Sequence, residues 1–168
     1  MDPEHVRKGL RPPFPFSAVV GNREAKLAIQ CALSSDDIHS VLICGPKGTG
    51  KSVMAGSAAT VCGDRSVVNL PLNVTEDQLF GSMDLETTIR SGKKRVSRSV
   101  LARADGNILL VENVNLLPTY LLYQVMNAAE NRTNLVERDG MSEAYDCDFT
   151  MIATMDPEAG GHSNFPGS

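Results

Sequence analysis

Apolar residues fall along this chain in two rhythms. Between residues 22 and 34, Ala25, Leu27, Ala28, Ile29, Ala32 and Leu33 recur at helical spacing. That spacing predicts a helix with Asn22 as a possible N-cap, and Asp36-Asp37 marks the break after it. Elsewhere the apolar residues come in short unbroken runs. Val41-Leu42-Ile43-Cys44 is one, and it predicts a strand buried on both faces. Runs at 66–70, 108–111 and 150–154 predict three more strands. A helix is expected from Lys51 to about Val61, ending near Gly63. Another is expected over 116–129, with Tyr120, Leu121, Val125 and Ala128 among its apolar positions. Strands alternating with helices predict an α/β fold with an open, mainly parallel sheet.

The ends carry a different pattern. Residues 1–17 are polar and then proline-rich (Pro12, Pro13, Pro15), which predicts an extended arm outside the core. Residues 18–168 read as a single core. After the last predicted strand comes only a stretch rich in glycine and proline, so this core is expected to be incomplete at its C-terminal end.

Composition narrows the function classes. The chain has 168 residues, enough for one domain with its own core, and a net charge of −4. That balance gives no global attraction to nucleic acid or to an acidic membrane. No apolar run approaches about 18 residues and no secretory signal opens the chain, so a cytoplasmic location is expected. Cys31, Cys44, Cys62 and Cys147 lack the close spacing of a metal knuckle or redox pair and are expected to be reduced thiols. His5, His39 and His162 are scattered and read as surface residues.

The strongest chemical signal is Gly45-Pro46-Lys47-Gly48-Thr49-Gly50-Lys51-Ser52, a complete G-x-x-x-x-G-K-[ST] pattern between a predicted strand and a predicted helix. Glycines let the backbone N–H groups turn inward around a phosphate without a Cβ in the way. Lys51 brings a charge to the outer phosphates, and Ser52 can ligate Mg²⁺. The loop therefore points to ATP with Mg²⁺. A nucleotide site of this kind needs an acid at the end of another strand, and Glu112 follows Ile108–Val111. The next residue, Asn113, is an amide and cannot accept a proton at neutral pH.

With these residues in place, the chain resembles the AAA+ ATPase module of magnesium-chelatase subunits, relatives of the MoxR-type ATPases. The resemblance runs from about Pro15 to Glu158. Phe16-Ser17-Ala18-Val19-Val20-Gly21 resembles the family's adenine-side loop, which makes Val20 and Gly21 nucleotide contacts. Leu70 to Asp77 and Phe80 to Glu86 are similar to its "P-x-x-x-T-E-D…G-S-x-D" segment. Asn134 to Ser142 resembles its "N-x-V-E-R-x-G-x-S" hairpin, and Ala153 to Glu158 its "G-T-M-N-P-E" sensor strand. The resemblance implies a P-loop NTPase fold of the AAA+ type, truncated here before the family's helical lid and arginine finger. It also implies neighbouring AAA+ subunits in a ring and a large porphyrin-binding chelatase subunit as partners.

Two departures bear on hydrolysis. The family usually has Asp-Glu where this chain has Glu112-Asn113, and Asn where this chain has Asp156. An intact loop beside spoiled acidic and sensor positions looks like the non-hydrolysing AAA+ subunit of a chelatase. The alternative is an active MoxR-like ATPase that remodels another protein complex. The basic stretch Arg90, Lys93, Lys94, Arg95, Arg98 and Arg103 is expected either to contact a neighbour or to form a solvated face. It has no aromatic residues among its charges, which argues against single-stranded nucleic acid. Glu137-Arg138-Asp139-Gly140 predicts a hairpin tip.

Overall fold

The computed structural model describes residues 14–81, 99–138 and 141–158. Strands β1 (Ser40–Cys44), β2 (Val67–Asn69), β3 (Ile108–Val111) and β6 (Thr150–Met155) form one sheet in the order β1-β6-β3-β2, with every pairing parallel. Helix α1 (Arg23–Ser34) precedes β1; parallel neighbours need crossovers, and these contain α2 (Lys51–Gly56), α3 (Glu76–Phe80), α4 (Val100–Ala104) and α5 (Thr119–Asn131). Strands β4 (Thr133–Arg138) and β5 (Met141–Asp146) form a separate antiparallel hairpin. Arg138 pairs with Met141, so the connection is residues 139 and 140, the expected Asp-Gly, which lie outside the described residues.

Two apolar clusters sandwich the sheet. Side chains alternate between faces along a strand, so β3 and β6 feed both. Leu109, Val111, Met151 and Ala153 join one cluster with Leu79, Leu101, Leu121 and Val125 from α3, α4 and α5. Ile108, Leu110 and Ile152 join the other with Ile29 of α1 and Met54 and Ala55 of α2. The two central strands are buried along their length, except that Met155 is half-buried.

Several expectations are corrected. The strand after α1 is not buried on both faces. Among the described residues it lies at the sheet edge with only β6 beside it, leaving Leu42 and Cys44 exposed. Asn22 does not cap α1 with its side chain. It takes a left-handed conformation and its Nδ2 donates to Thr49 O at 3.1 Å. The helix expected to reach Val61 stops at Gly56 and gives way to a 3₁₀ turn over Ala58–Val61. The serine and threonine side chains explain this: Ser57 Oγ donates to Met54 O and Thr60 Oγ1 to Ser57 O, drawing carbonyls away from the helical ladder. The extended arm does not reach residue 17. Phe16 opens a 3₁₀ turn and is 3% exposed in the core, its N–H held by Thr60 Oγ1. Of the basic stretch, only Arg103 is described. It is exposed in the last turn of α4.

Candidate functional site

The carboxyl ends of β1, β6 and β3 lie side by side, and each ends in one of the residues singled out above. Three parallel strands place the loop after β1 and the acid after β3 roughly 10 Å apart, with the end of β6 between them. Open parallel sheets take their ligands at this edge.

The loop leaves β1 at Gly45, whose N–H donates to Met155 O of β6 at 3.2 Å. Gly48 and Gly50 have φ of +85° and +82°, a region closed to most side chains, so glycine is required at both. At Gly45 the constraint is milder: an added Cβ would lie 3.7 Å from Thr49 Oγ1 and 3.9 Å from Lys51 Cδ. Thr49 Oγ1 donates to Pro46 O at 2.9 Å, closing the turn from within. Lys51 Nζ donates to the carbonyls of Gly45 and Pro46 at 2.6 and 2.7 Å, so its charge sits over the loop's mouth. Ser52, Lys47 and Thr49 are exposed. These groups fit a magnesium-bound polyphosphate: loop N–H groups for anionic oxygens, an ammonium held over the loop, and an exposed hydroxyl for a hard cation. The six-residue α2 adds less dipole than the long helix that was expected.

Val20 and Gly21 stand on the flank of this loop. Val20 is 94% exposed and Gly21 has φ +78°. Asn22, next in the chain, ties this segment to the loop through its bond to Thr49 O, and Lys26 Nζ holds Val19 O at 2.8 Å. Reading the sequence missed both tethers, because neither follows from local periodicity.

At the end of β3 burial stops abruptly. Val111 is fully buried while Glu112 and Asn113 are exposed. Asn113 is left-handed (φ 50°), and its N–H donates to Thr154 Oγ1 of β6 at 3.2 Å. Thr154 was not singled out from the sequence. Asn115 Nδ2 donates to the backbone carbonyl of Asp156 at 3.4 Å. Asp156 is buried, and its Oδ1 accepts the Glu158 N–H at 3.0 Å. Residues 45–52, 112–113 and 156 thus share one edge, with 20–22 tethered beside them. A cavity of about 560 Å³ opens elsewhere, between α3, α5 and β4, and none of these residues lines it.

A match to known proteins covers this whole arrangement. The family described as "AAA domain (dynein-related subfamily)" matches residues 40–166. The chain belongs to this AAA family. The AAA module is 36% identical over 146 residues to the magnesium-chelatase 67 kDa subunit of Chlorobaculum parvum, covering 86% of this chain and 24% of that protein. It is 33% identical over 179 residues to magnesium-chelatase subunit ChlI of Olisthodiscus luteus, covering 91% of this chain and 54% of that one. An uncharacterized protein of Mycobacterium tuberculosis is 40% identical over 154 residues, or 88% of this chain and 24% of that protein. Among solved structures, the complex between subunits BchI and BchD of magnesium chelatase matches with a TM-score of 0.77 and 31% identity, over 89% of this chain and 57% of that one. The AAA module therefore spans between about a quarter and a half of these relatives' lengths. Its fold is that of the chelatase-type AAA+ modules, a parallel sheet flanked by helices. No helix among the described residues is long and apolar enough to cross a membrane.

Proposed function

We propose that this AAA module binds ATP·Mg²⁺ as a hydrolysis-impaired member of a magnesium-chelatase-type complex, the assembly that inserts a metal into a porphyrin. The observation that carries the reading is an intact phosphate loop next to an amide where a base is needed. Asn113 stands at the mouth of the sheet with its backbone held on Thr154. An amide can orient a water but cannot take its proton, and a missing general base costs about 10²–10⁴ in rate.

In this reading the backbone N–H groups of Gly48, Thr49 and Gly50 would bind the phosphate oxygens, and Lys51 would exchange its two carbonyl acceptors for phosphate. Ser52 and Glu112 would hold the Mg²⁺, which would supply charge neutralisation to the phosphates. Val20 and Gly21, tethered by Asn22, would flank the adenine. The similarity to magnesium-chelatase subunits supports neighbouring AAA+ subunits as partners; a porphyrin-binding subunit and a cytoplasmic location complete the proposal.

The test is an equilibrium titration with a fluorescent ATP analogue in Mg²⁺, paired with a phosphate-release assay. The chain is expected to bind the analogue without turnover above background. Lys51→Ala removes at least one charge-assisted contact worth about 1.5–3 kcal/mol, so affinity falls about ten- to hundredfold. Equal affinity in the two proteins would mean that the loop holds no phosphate.

A further inference from the structure

Asp156 directly follows β6, the strand between the loop-bearing β1 and the acid-bearing β3. It is 9% exposed. The Glu158 N–H is the one hydrogen bond its carboxylate receives among the described residues, and no lysine or arginine there pairs with it. A buried carboxylate with one neutral donor is short of positive charge. Strand alternation, carried one residue past the end of β6, puts Asp156 in phase with Ile152 and Thr154. Ile152 packs in the cluster that holds Met54 and Ala55, whereas Met151, Ala153 and Met155 pack on the opposite face. Asp156 therefore lies on the side of the sheet carrying α2, the helix that begins with Lys51 and Ser52.

We propose that Asp156 makes this site select metal-loaded over metal-free nucleotide, by offering a carboxylate to the divalent cation from the strand between Ser52 and Glu112. The inference rests on the nucleotide reading above and adds a rule for which form of the nucleotide is admitted. A metal-free triphosphate brings only negative charge toward a carboxylate that is 9% exposed, and the two repel. A divalent cation reverses the sign, because a hard cation takes carboxylate oxygens directly or through water. An amide at the same position would barely distinguish the two forms, since it carries no charge. The carboxylate thus couples nucleotide to metal instead of weakening all nucleotide binding equally.

The experiment titrates the fluorescent ATP analogue into the full chain and into Asp156→Asn, each in saturating Mg²⁺ and in EDTA. The asparagine keeps an oxygen for the Glu158 N–H, so the turn persists. Asp156→Ser, which also keeps an acceptor, replaces it if circular dichroism shows the first variant unfolded. The unaltered chain is expected to bind about a hundredfold or more tighter in Mg²⁺ than in EDTA. In the variant that ratio falls about tenfold or more, because binding in EDTA strengthens. An unchanged ratio, including equal tightening in both buffers, overturns the proposal and leaves the nucleotide reading standing. Absence of binding by both proteins in both buffers overturns the two together.

Discussion

Among the described residues three non-glycine positions have positive φ, and two of them, Asn22 and Asn113, flank the candidate site. Asparagine tolerates the left-handed region better than most residues, and other side chains pay roughly 1–2 kcal/mol there. Asn113 therefore answers two demands, backbone geometry and a side chain that takes no proton. The two can be separated. Asn113→Gly should leave stability in urea unchanged or slightly raised and add no turnover. Asn113→Glu should lose roughly 1 kcal/mol of stability. Combined with Glu112→Asp and Asp156→Asn, and assayed beside a hydrolysing chelatase-type neighbour, it should raise ATP turnover by about two orders of magnitude or more. If the unaltered chain already turns over at that higher rate, Asn113 is not the defect, and another group positions the water.

At the scale of elements, short helices here survive through caps and packing. Helix α3 has five residues, too few to persist alone in water. Thr75 accepts the Gln78 N–H while Gln78 returns a bond to the Thr75 N–H, a reciprocal capping box, and Leu79 is fully buried beneath. Thr75→Ala should cost about 1 kcal/mol in urea denaturation. No change would mean that Leu79 alone holds the helix. The same balance explains α2: Gly56 weakens the helix, Ser57 and Thr60 bond back to carbonyls, and the segment tightens into a 3₁₀ turn. Hairpin β4–β5 is anchored at its base. Asn134 Nδ2 donates to Phe80 O at 2.8 Å, and Arg132 reaches both Asp36 O and the Asp148 carboxylate.

For the molecule as a whole, β3 and β6 belong to both apolar clusters, so neither face can melt alone. Leu109→Ala on one face and Ile152→Ala on the other should each cost about 2–5 kcal/mol. Both should show one transition, coincident by far-UV circular dichroism and tyrosine fluorescence. Separate transitions would mean that the faces fold independently. Cys147, which is 1% exposed and donates to Leu101 O, contributes to the response of the fold to alkali. Burial, then the nearby Asp105 and Asp148 carboxylates, push its pKa from 9.0 up to about 12. The folded state holds this proton more tightly than the unfolded chain. Its contribution to stability is therefore complete below pH 9 and is lost as the pH rises toward 12. Thiol labelling at pH 8 should modify the exposed Cys31 and Cys44 quickly and Cys147 only after denaturant is added. Fast labelling of all four would contradict the packing around Cys147.

Whatever depends on a few consecutive residues could be read from the chain alone. The phosphate loop is local because only glycine admits the φ values at 48 and 50. Strand β3 spans Ile108–Val111 as expected, and α1 spans Arg23–Ser34 within the expected stretch, because each shows its own period over its full length. Strand identity was legible, but strand order was not. Val41 to Cys44 looks like an interior strand, yet burial depends on which strands flank it, and β6, its one neighbour here, comes more than a hundred residues later. Phe16 looked like part of an arm because its partners, Thr60 and the α1–α2 face, are distant in the chain. Asn22 and Thr154 show their roles only once folding sets them against Thr49 and Asn113. Asp156 gains its place between loop and acid in the same way. A side chain's type is written locally, but its neighbours, and so its field and burial, come from strands that packing brings together.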